Sequence, residues 1–320
     1  MDRKITVIVP NLAESHRGAI RDAAARNGCE VRFMANEDED KAYVYASEIV
    51  FGHQPQIAKS SQCLRWLCTP FAGVDQLTKE DSFANRDAIL TNSAGAYGVT
   101  ISEHILMVLL ALLRRDPEYR NIVRNKDWKR DLAIRSVYGS RITLLGTGDI
   151  GRKTAARLRA FRPKRITGIN RSGGNPDNLF DAILTRDRLD EALPGTDILV
   201  ISLPGTRETY HMLDREKLAW LPDGAVIINV GRGSVIDQEA LKAELEAGRL
   251  YAGLDVFETE PLPREDPLWD NPNVLITPHT AGNMTLPHTI DRIVEMFIED
   301  LDSYCAGKPL QHTVIRERGY

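Results

Sequence analysis

Three residues in the second half of the chain have the side-chain types needed to move a hydride onto a small oxo acid. Those types are a cation for a carboxylate, a proton carrier for an oxygen, and a group that orients the carrier. Arg232 lies in Asn229-Val230-Gly231-Arg232-Gly233, after an apolar run. The flanking glycines free the backbone and expose the guanidinium at the carboxyl edge of a sheet, where ligands bind in open α/β folds. A guanidinium there can grip a carboxylate bidentately and polarise a keto oxygen; the plainer alternative is a surface-loop arginine. His279 lies in Thr277-Pro278-His279-Thr280-Ala281-Gly282, just past another apolar run. With an ordinary pKa of ~6.5, histidine is the natural proton carrier near neutrality. It is one of seven histidines, so its type alone does not single it out. Glu260, in Asp255-Val256-Phe257-Glu258-Thr259-Glu260-Pro261, could hold a histidine in one tautomer. Glu258 is equally acidic, and side-chain chemistry does not choose between the two.

A hydride needs a source. Gly146-Thr147-Gly148-Asp149-Ile150-Gly151 has the form G-x-G-x-x-G. Alone, that pattern is short enough to arise by chance or to mark an ordinary strand-to-helix turn. Here it follows an apolar strand and opens a helix, the context of a dinucleotide-binding loop. Gly146 permits the tight turn, Gly148 lets a pyrophosphate approach, and Gly151 allows close helix–strand packing. The helix start at Asp149 and Ile150 then presents its amides to the phosphates. A carboxylate about twenty residues later would bind the ribose hydroxyls and favour NAD. The chain instead carries Asn170-Arg171-Ser172 after Ile169, and Asp177 is too far on. Arg171 can pair with a 2′-phosphate while Ser172 and Asn170 donate hydrogen bonds to it, so NADP(H) is expected ahead of NAD(H). The alternative is that Arg171 is a solvated surface side chain.

The elements that must position these residues alternate along the chain. Strands are expected at Ile5–Val9, Val31–Met34, Glu48–Phe51, Leu64–Cys68 and Ile89–Thr91, with a helix at Glu14–Asn27 capped by Gly28. Ser93 to Gly98 reads as a hinge, followed by a long apolar helix near Val99–Arg114 with Pro117 just beyond it, and a further turn or two near Ile122–Lys129. A second series opens at Arg141. Its strands are Ile142–Leu145, Arg165–Ile169, Ile198–Leu203, Val226–Val230, Tyr251–Leu254 and Val274–Thr277. Helices are expected from the glycine loop to Phe161, at Leu184–Leu193, Arg215–Trp220 and Gln238–Ala247, and finally at Leu286–Tyr304. Such alternation predicts α/β architecture with doubly wound parallel sheets. If the last helix returns to the first domain, two crossings join the domains beside a cleft.

Bulk composition agrees with two globular domains. The chain has 320 residues, 42% hydrophobic and 27% charged, with a net charge of −4 that implies no basic face for nucleic acid. The longest apolar stretch, Ile105–Leu113, is far short of the ~20 residues of a bilayer span, and the N-terminus lacks the features of a secretory signal. Cys29, Cys63, Cys68 and Cys305 form no CxxC pair and no metal-ligand spacing, so no metal site is expected. They read as reduced, mostly buried thiols of a cytoplasmic protein.

Taken together, the motifs resemble those of the D-isomer-specific 2-hydroxyacid dehydrogenase family. The resemblance covers nearly the whole chain. It is carried by Phe71-Ala72-Gly73-Val74-Asp75, Thr91-Asn92-Ser93-Ala94-Gly95, Ser102-Glu103-His104, the glycine loop, Leu203-Pro204-Gly205-Thr206 with Thr209, and the segments around Arg232, Glu260 and His279. It implies Glu260, the glutamate directly before proline, as the catalytic glutamate, with Arg232 and His279 as its partners. It also implies substrate-carboxylate binding by backbone near Ala72 and Gly73. Leu203, Pro204, Thr209, Val230, Asp255 and Ala281 would line the dinucleotide. The implied fold is a Rossmann cofactor domain, 98–282, inserted into a flavodoxin-like substrate domain, 1–97 and 283–320. Homodimers through the cofactor domain are implied as well, with the helix near Val99–Arg114 contributing. The chain departs from the NAD-using members in lacking their acidic residue, and it reads Ser102 where the family has alanine. His104, on an apolar helix, is expected to be structural. The resulting expectation is hydride transfer between NADP(H) and a small 2-oxo acid/D-2-hydroxy acid pair, glyoxylate or hydroxypyruvate first. The competing readings are a non-catalytic dinucleotide sensor or corepressor on the same scaffold, and a phosphoglycerate-type dehydrogenase. The latter is disfavoured by the lack of an added C-terminal regulatory segment.

Overall fold

Short β-branched runs separated by helices bury both sheet faces when the strands pair in parallel. The computed structural model describes residues 3–175 and 178–319. It holds two units, Met1–Tyr97 with Met284–Tyr320, and Gly98–Asn283. The first contains β1 (Arg3–Ile8), α1 (Glu14–Arg26), β2 (Cys29–Phe33), α2 (Lys41–Tyr45), β3 (Ile49–Gly52), α3 (Pro55–Ser60), β4 (Trp66–Cys68) and β5 (Ile89–Thr91). The strands form a five-stranded parallel sheet in the order β2-β1-β3-β4-β5, the flavodoxin-like winding.

Period-2 alternation splits the core of this unit. Val50, Leu67 and Leu90 join Val44, Ile57 and Leu77 on one side. Phe51 and Trp66 point the other way and stack on Phe297. Phe297 belongs to the last helix of the chain, Pro287–Cys305.

The second unit opens with α4 (Gly98–Leu113) and α5 (Asp116–Arg124). There follow β6 (Arg141–Leu145), α6 (Asp149–Arg159), β7 (Arg165–Asn170), β8 (Ala182–Thr185), α7 (Leu189–Ala192), β9 (Ile198–Ile201), α8 (Arg215–Trp220), β10 (Val226–Asn229), α9 (Gln238–Glu246), β11 (Tyr251–Leu254) and β12 (Val274–Ile276). Then α10 (Pro287–Cys305) completes the first unit. The second sheet is parallel throughout, ordered β12-β11-β10-β9-β6-β7-β8. Winding runs outward from β6 to β8, then restarts at β9 on the other side, so the switch point lies between β6 and β9. On one face Leu145, Leu199, Ile227 and Leu254 pack with Leu213, Leu218, Leu241 and Leu245 of the α8–α9 layer. On the other, α4 lies so close to Gly253 that a Cβ there would overlap Val108.

Several expectations are corrected. The turn or two expected near Ile122–Lys129 is α5, Asp116–Arg124, which starts before Ile122 and carries Pro117 in its first turn, where a missing N–H costs nothing. Leu184–Leu193 is not one helix. Its first residues belong to β8, an edge strand, and only Leu189–Ala192 is α-helical. The short helices α2 and α3 had no separate signal. Of the four thiols only Cys68 is buried; Cys63 is exposed and the other two are intermediate. Among the described residues no helix is long and apolar enough to cross a membrane.

Candidate active site

The glycine loop joins β6 to α6. Gly146 sits at φ +102°, a backbone that side chains rarely adopt, and a Cβ there would lie 2.8 Å from Ser202 Oγ. A Cβ on Gly151 would overlap the Gly146 carbonyl oxygen. The chain itself therefore accounts for these two glycines. Gly148 is different. Its backbone is ordinary (φ −71°, ψ −161°), and a Cβ would meet nothing in the chain within 4 Å. It stands at the N-terminus of the 11-residue α6, where amides and helix dipole favour an anion. A dinucleotide pyrophosphate fits that open cradle. Asp149 turns its carboxylate inward, toward Gly98 and to 2.8 Å from Lys153 Nζ, so it faces the cradle with backbone only. Ile150 follows in the same first turn.

The loop after β7 is organised by Asn170. Its Nδ2 donates to Thr147 Oγ1 (2.8 Å) and to the Gly174 carbonyl (2.9 Å), and its Oδ1 accepts from Gly173 N (2.6 Å). Both amide protons are engaged within the chain. Asn170 therefore does not donate to a phosphate as the sequence reading expected; it braces the loop that carries Arg171 and Ser172, both exposed. Asp177 lies outside the described residues. After β9, Thr209 Oγ1 donates to the Pro204 carbonyl (2.6 Å) and accepts from Thr206 N (2.9 Å), tying down the turn that begins at Leu203. Val230, 8% exposed, follows β10, where a Cβ on Gly231 would sit 2.5 Å from the Leu203 carbonyl.

Arg232, Glu260 and His279 follow three adjacent strands, β10, β11 and β12, at the same sheet edge as the glycine loop. The Arg232 turn is clamped by Asn229, whose Oδ1 accepts from Gly231 N (3.1 Å) and whose Nδ2 donates to the Arg232 carbonyl (3.0 Å). The next residue, Gly233, lies against the Phe257 backbone so tightly that a Cβ would overlap it. The guanidinium Nη1 donates to the Gly231 carbonyl at 2.8 Å.

His279 Nδ1 lies 2.6 Å from Glu260 Oε2, and Glu260 Oε1 accepts from Phe257 N at 3.0 Å. The carboxylate thus holds a proton on Nδ1 and leaves Nε2 for another partner. Geometry separates the two glutamates that side-chain chemistry could not, because Glu258 pairs with His211 instead. Asp255, 3% exposed, supports the whole turn. Its carboxylate accepts from Thr277 Oγ1 (2.6 Å), Thr280 N (2.9 Å) and Ala281 N (3.0 Å), while its carbonyl accepts from His279 N (2.9 Å). His279 has φ +52°, a strained backbone for a non-glycine residue. That strain costs about 1–3 kcal/mol. Hydrogen bonds to a charged group contribute about 1.5–3 kcal/mol each, so the Asp255 set outweighs it. His104 Nε2 lies 3.1 Å from Thr277 Oγ1. Thr277 gives its only proton to Asp255, so its oxygen accepts and His104 carries the proton on Nε2.

The sequence reading missed Asn229 and Thr277 as supports, though polar residues bordering G-x-G and P-H turns were a usable signal. Asp255 and Ala281, which the resemblance places along the dinucleotide, also bond to each other in the His279 turn. In the first unit, the Ala72 carbonyl accepts from Asn92 Nδ2 (2.7 Å), and Ser93 N donates to the Phe71 carbonyl (3.1 Å), which fixes the loop through Gly73.

An anion cradle at a helix start, with an oriented histidine, a carboxylate and an arginine at the same edge of a doubly wound sheet, defines a nicotinamide-dinucleotide-linked oxidoreductase. Residues 106–281 match the family described as D-isomer specific 2-hydroxyacid dehydrogenase, NAD binding domain. A glyoxylate reductase from Korarchaeum cryptofilum is 30% identical over 261 residues, 79% of this chain and 76% of that protein. A glyoxylate/hydroxypyruvate reductase B from Pectobacterium carotovorum is 36% identical over 208 residues, 63% of this chain and 64% of that protein. A D-isomer specific 2-hydroxyacid dehydrogenase from Xanthobacter autotrophicus, solved with NADPH and MES, superposes with a TM-score of 0.83 at 28% identity, covering 100% of this chain and 99% of that one. The chain belongs to the D-isomer-specific 2-hydroxyacid dehydrogenase family.

Two predictions follow from this geometry. Glu260→Gln should lower kcat on the order of 10²-fold, while Glu258→Gln keeps it within about twofold; equal losses in steady-state assays would reject the assignment of the pairs. Burial holds His104 below its ordinary pKa, partly offset by the Asp255 carboxylate. Below the ordinary value of ~6.5 the unfolded chain takes up a proton that folded His104 refuses, so its contribution is present above that pH and is lost as pH falls. Denaturant midpoints should therefore drop less steeply between about pH 7.5 and pH 5.5 in His104→Gln than in the parent. Parallel curves would contradict that role.

Proposed function

We propose that the chain reduces a small 2-oxo acid, glyoxylate or hydroxypyruvate, to the D-2-hydroxy acid with NADPH, reversibly. The observation that carries the reading is the His279 ring, held on Nδ1 by Glu260 beside the glycine-flanked Arg232. When bound, the nicotinamide supplies the hydride. Arg232 grips the substrate carboxylate and polarises the keto oxygen, with the loop at Ala72 and Gly73 taking part in carboxylate binding. His279, protonated, delivers its Nε2 proton to that oxygen, and Glu260 stabilises the imidazolium before transfer. Leu203, Pro204, Thr209 and Val230 line the dinucleotide beside the cradle at Gly148.

The NADP(H) preference rests on Arg171 and Ser172 at the exposed end of β7, where the sequence reads Asn-Arg-Ser in place of an acidic residue. The Xanthobacter relative solved with NADPH supports it, and the two reductases support the substrate class. NAD(H) is the second choice. Unit Gly98–Asn283 serves as the cofactor domain and the other as the substrate domain. We further propose a cytoplasmic homodimer through the cofactor domain.

The test is a panel of 2-oxo acids assayed with NADPH and NADH in parallel. NADPH should be preferred at least ~10-fold in kcat/KM, and Arg171→Ala should erase most of that preference by raising the KM for NADPH. His279→Ala should abolish turnover while NADPH binding persists. A parent that prefers NADH, or a His279→Ala variant that turns over near-normally, would sink the reading.

A further inference from the structure

Cys29 opens β2 and Cys305 closes α10, 276 residues apart in sequence, yet their sulfurs stand 3.8 Å apart. The approach is braced. Arg26 donates to both oxygens of Asp302 (3.1 and 2.6 Å), and Asn27 Nδ2 donates to Oδ1 of the same carboxylate (2.6 Å). These bonds fasten the end of α1 to the last turn of α10, one step from each sulfur. The two cysteines also come from the two separate chain segments that build the first unit. We propose that Cys29 and Cys305 form an oxidative modification site, where a hydroperoxide drives formation of a disulfide that staples those segments together.

The surroundings assign each sulfur a part. Arg3 lies near Cys305 and Glu48, which hold its guanidinium above its ordinary pKa. A guanidinium beside a sulfur favours its reaction with peroxide. Cys29 donates to the Asn27 carbonyl (3.6 Å), and burial pushes its thiol above the ordinary range. Cys305 is therefore the sulfur attacked first. Its sulfur attacks the peroxide: an S–O bond forms, the O–O bond breaks, and the other oxygen leaves as water or alcohol with a proton. The sulfur has lost two electrons to the peroxide and is now a sulfenic acid. Cys29 then attacks it: the S–S bond forms, the S–O bond breaks, and hydroxide leaves with the Cys29 proton as water. Closing from 3.8 Å to the ~2.05 Å of a disulfide needs the two sulfurs to approach by less than about 2 Å. Cys68 is buried and Cys63 stands exposed and alone, so neither competes for this partner. Both sulfurs lie at the edge of the sheet where β2 begins, opposite the edge where β4 leads to Ala72 and Gly73.

The experiment uses the full chain carrying Cys63→Ser, with stoichiometric hydrogen peroxide. Two of the three remaining thiols should be lost, a Cys29–Cys305 peptide should appear in digests, and dithiothreitol should reverse both. The unfolding temperature should rise by roughly 5 °C. Further substitution of Cys29→Ser should leave Cys305 as a sulfenic acid captured by a dimedone probe, with no crosslink. Unchanged thiols, a crosslink only between chains, or dimedone labelling of Cys29 in a Cys305→Ser variant would overturn the proposal.

Discussion

A single buried carboxylate organises the turn that carries His279. Asp255 collects a hydroxyl from Thr277 and amides from Thr280 and Ala281, while its own carbonyl takes the amide of His279. A charge this deep is costly unless its lone pairs are satisfied. Here they are, and the satisfied set forces the chain after β12 through a left-handed residue. That residue is the histidine. The strain at His279 and the burial of Asp255 are two sides of one arrangement, with His104 behind Thr277 as its outer support.

The sheet order explains why the cofactor loop and the reactive side chains share an edge. All seven strands of the second unit run parallel, so every strand-to-helix loop leaves from one side. β6 opens the unit's series beside the switch point, where the divergence of loops leaves room for a dinucleotide, and the anion cradle at Gly148 sits there. β10, β11 and β12 then follow outward on the other side and deliver Arg232, Glu260 and His279 in order. Glycine governs the tolerances: Gly146, Gly151 and Gly233 are required by neighbouring chain atoms, while Gly148 opens onto free space at the start of α6.

Much of this was legible in the amino-acid order. Apolar runs separated by helical stretches announced both parallel sheets, and the glycine loop stood in recognisable context. Other features depend on contacts that no local pattern carries. Glu258 and Glu260 are chemically alike, and only the positions of His211 and His279 separate them; the family resemblance had to stand in for that geometry. Asn170 looked like a phosphate donor because its type suits one, but the turn at Gly173 and Gly174 claims its amide. β8 was hidden because an edge strand needs no strong alternation, and Leu184 continued naturally into the helical run that follows. Pro117 reads equally as a stop or a start, and only the neighbouring helix decides. The pairing of Cys29 with Cys305 has no sequence signal at all.

The central claim is that Asp255 acts through His279 rather than through the dinucleotide. Asp255→Asn keeps the volume but turns one of the two accepting oxygens into an N–H₂, which faces either Thr277 and Thr280 or Ala281 as a second donor. The direct measurement is kcat set beside the NADPH dissociation constant for this variant, once circular dichroism shows it folded. The account predicts that kcat falls by about 10²-fold while the dissociation constant stays within about twofold. Weakened NADPH binding with kcat preserved would contradict it.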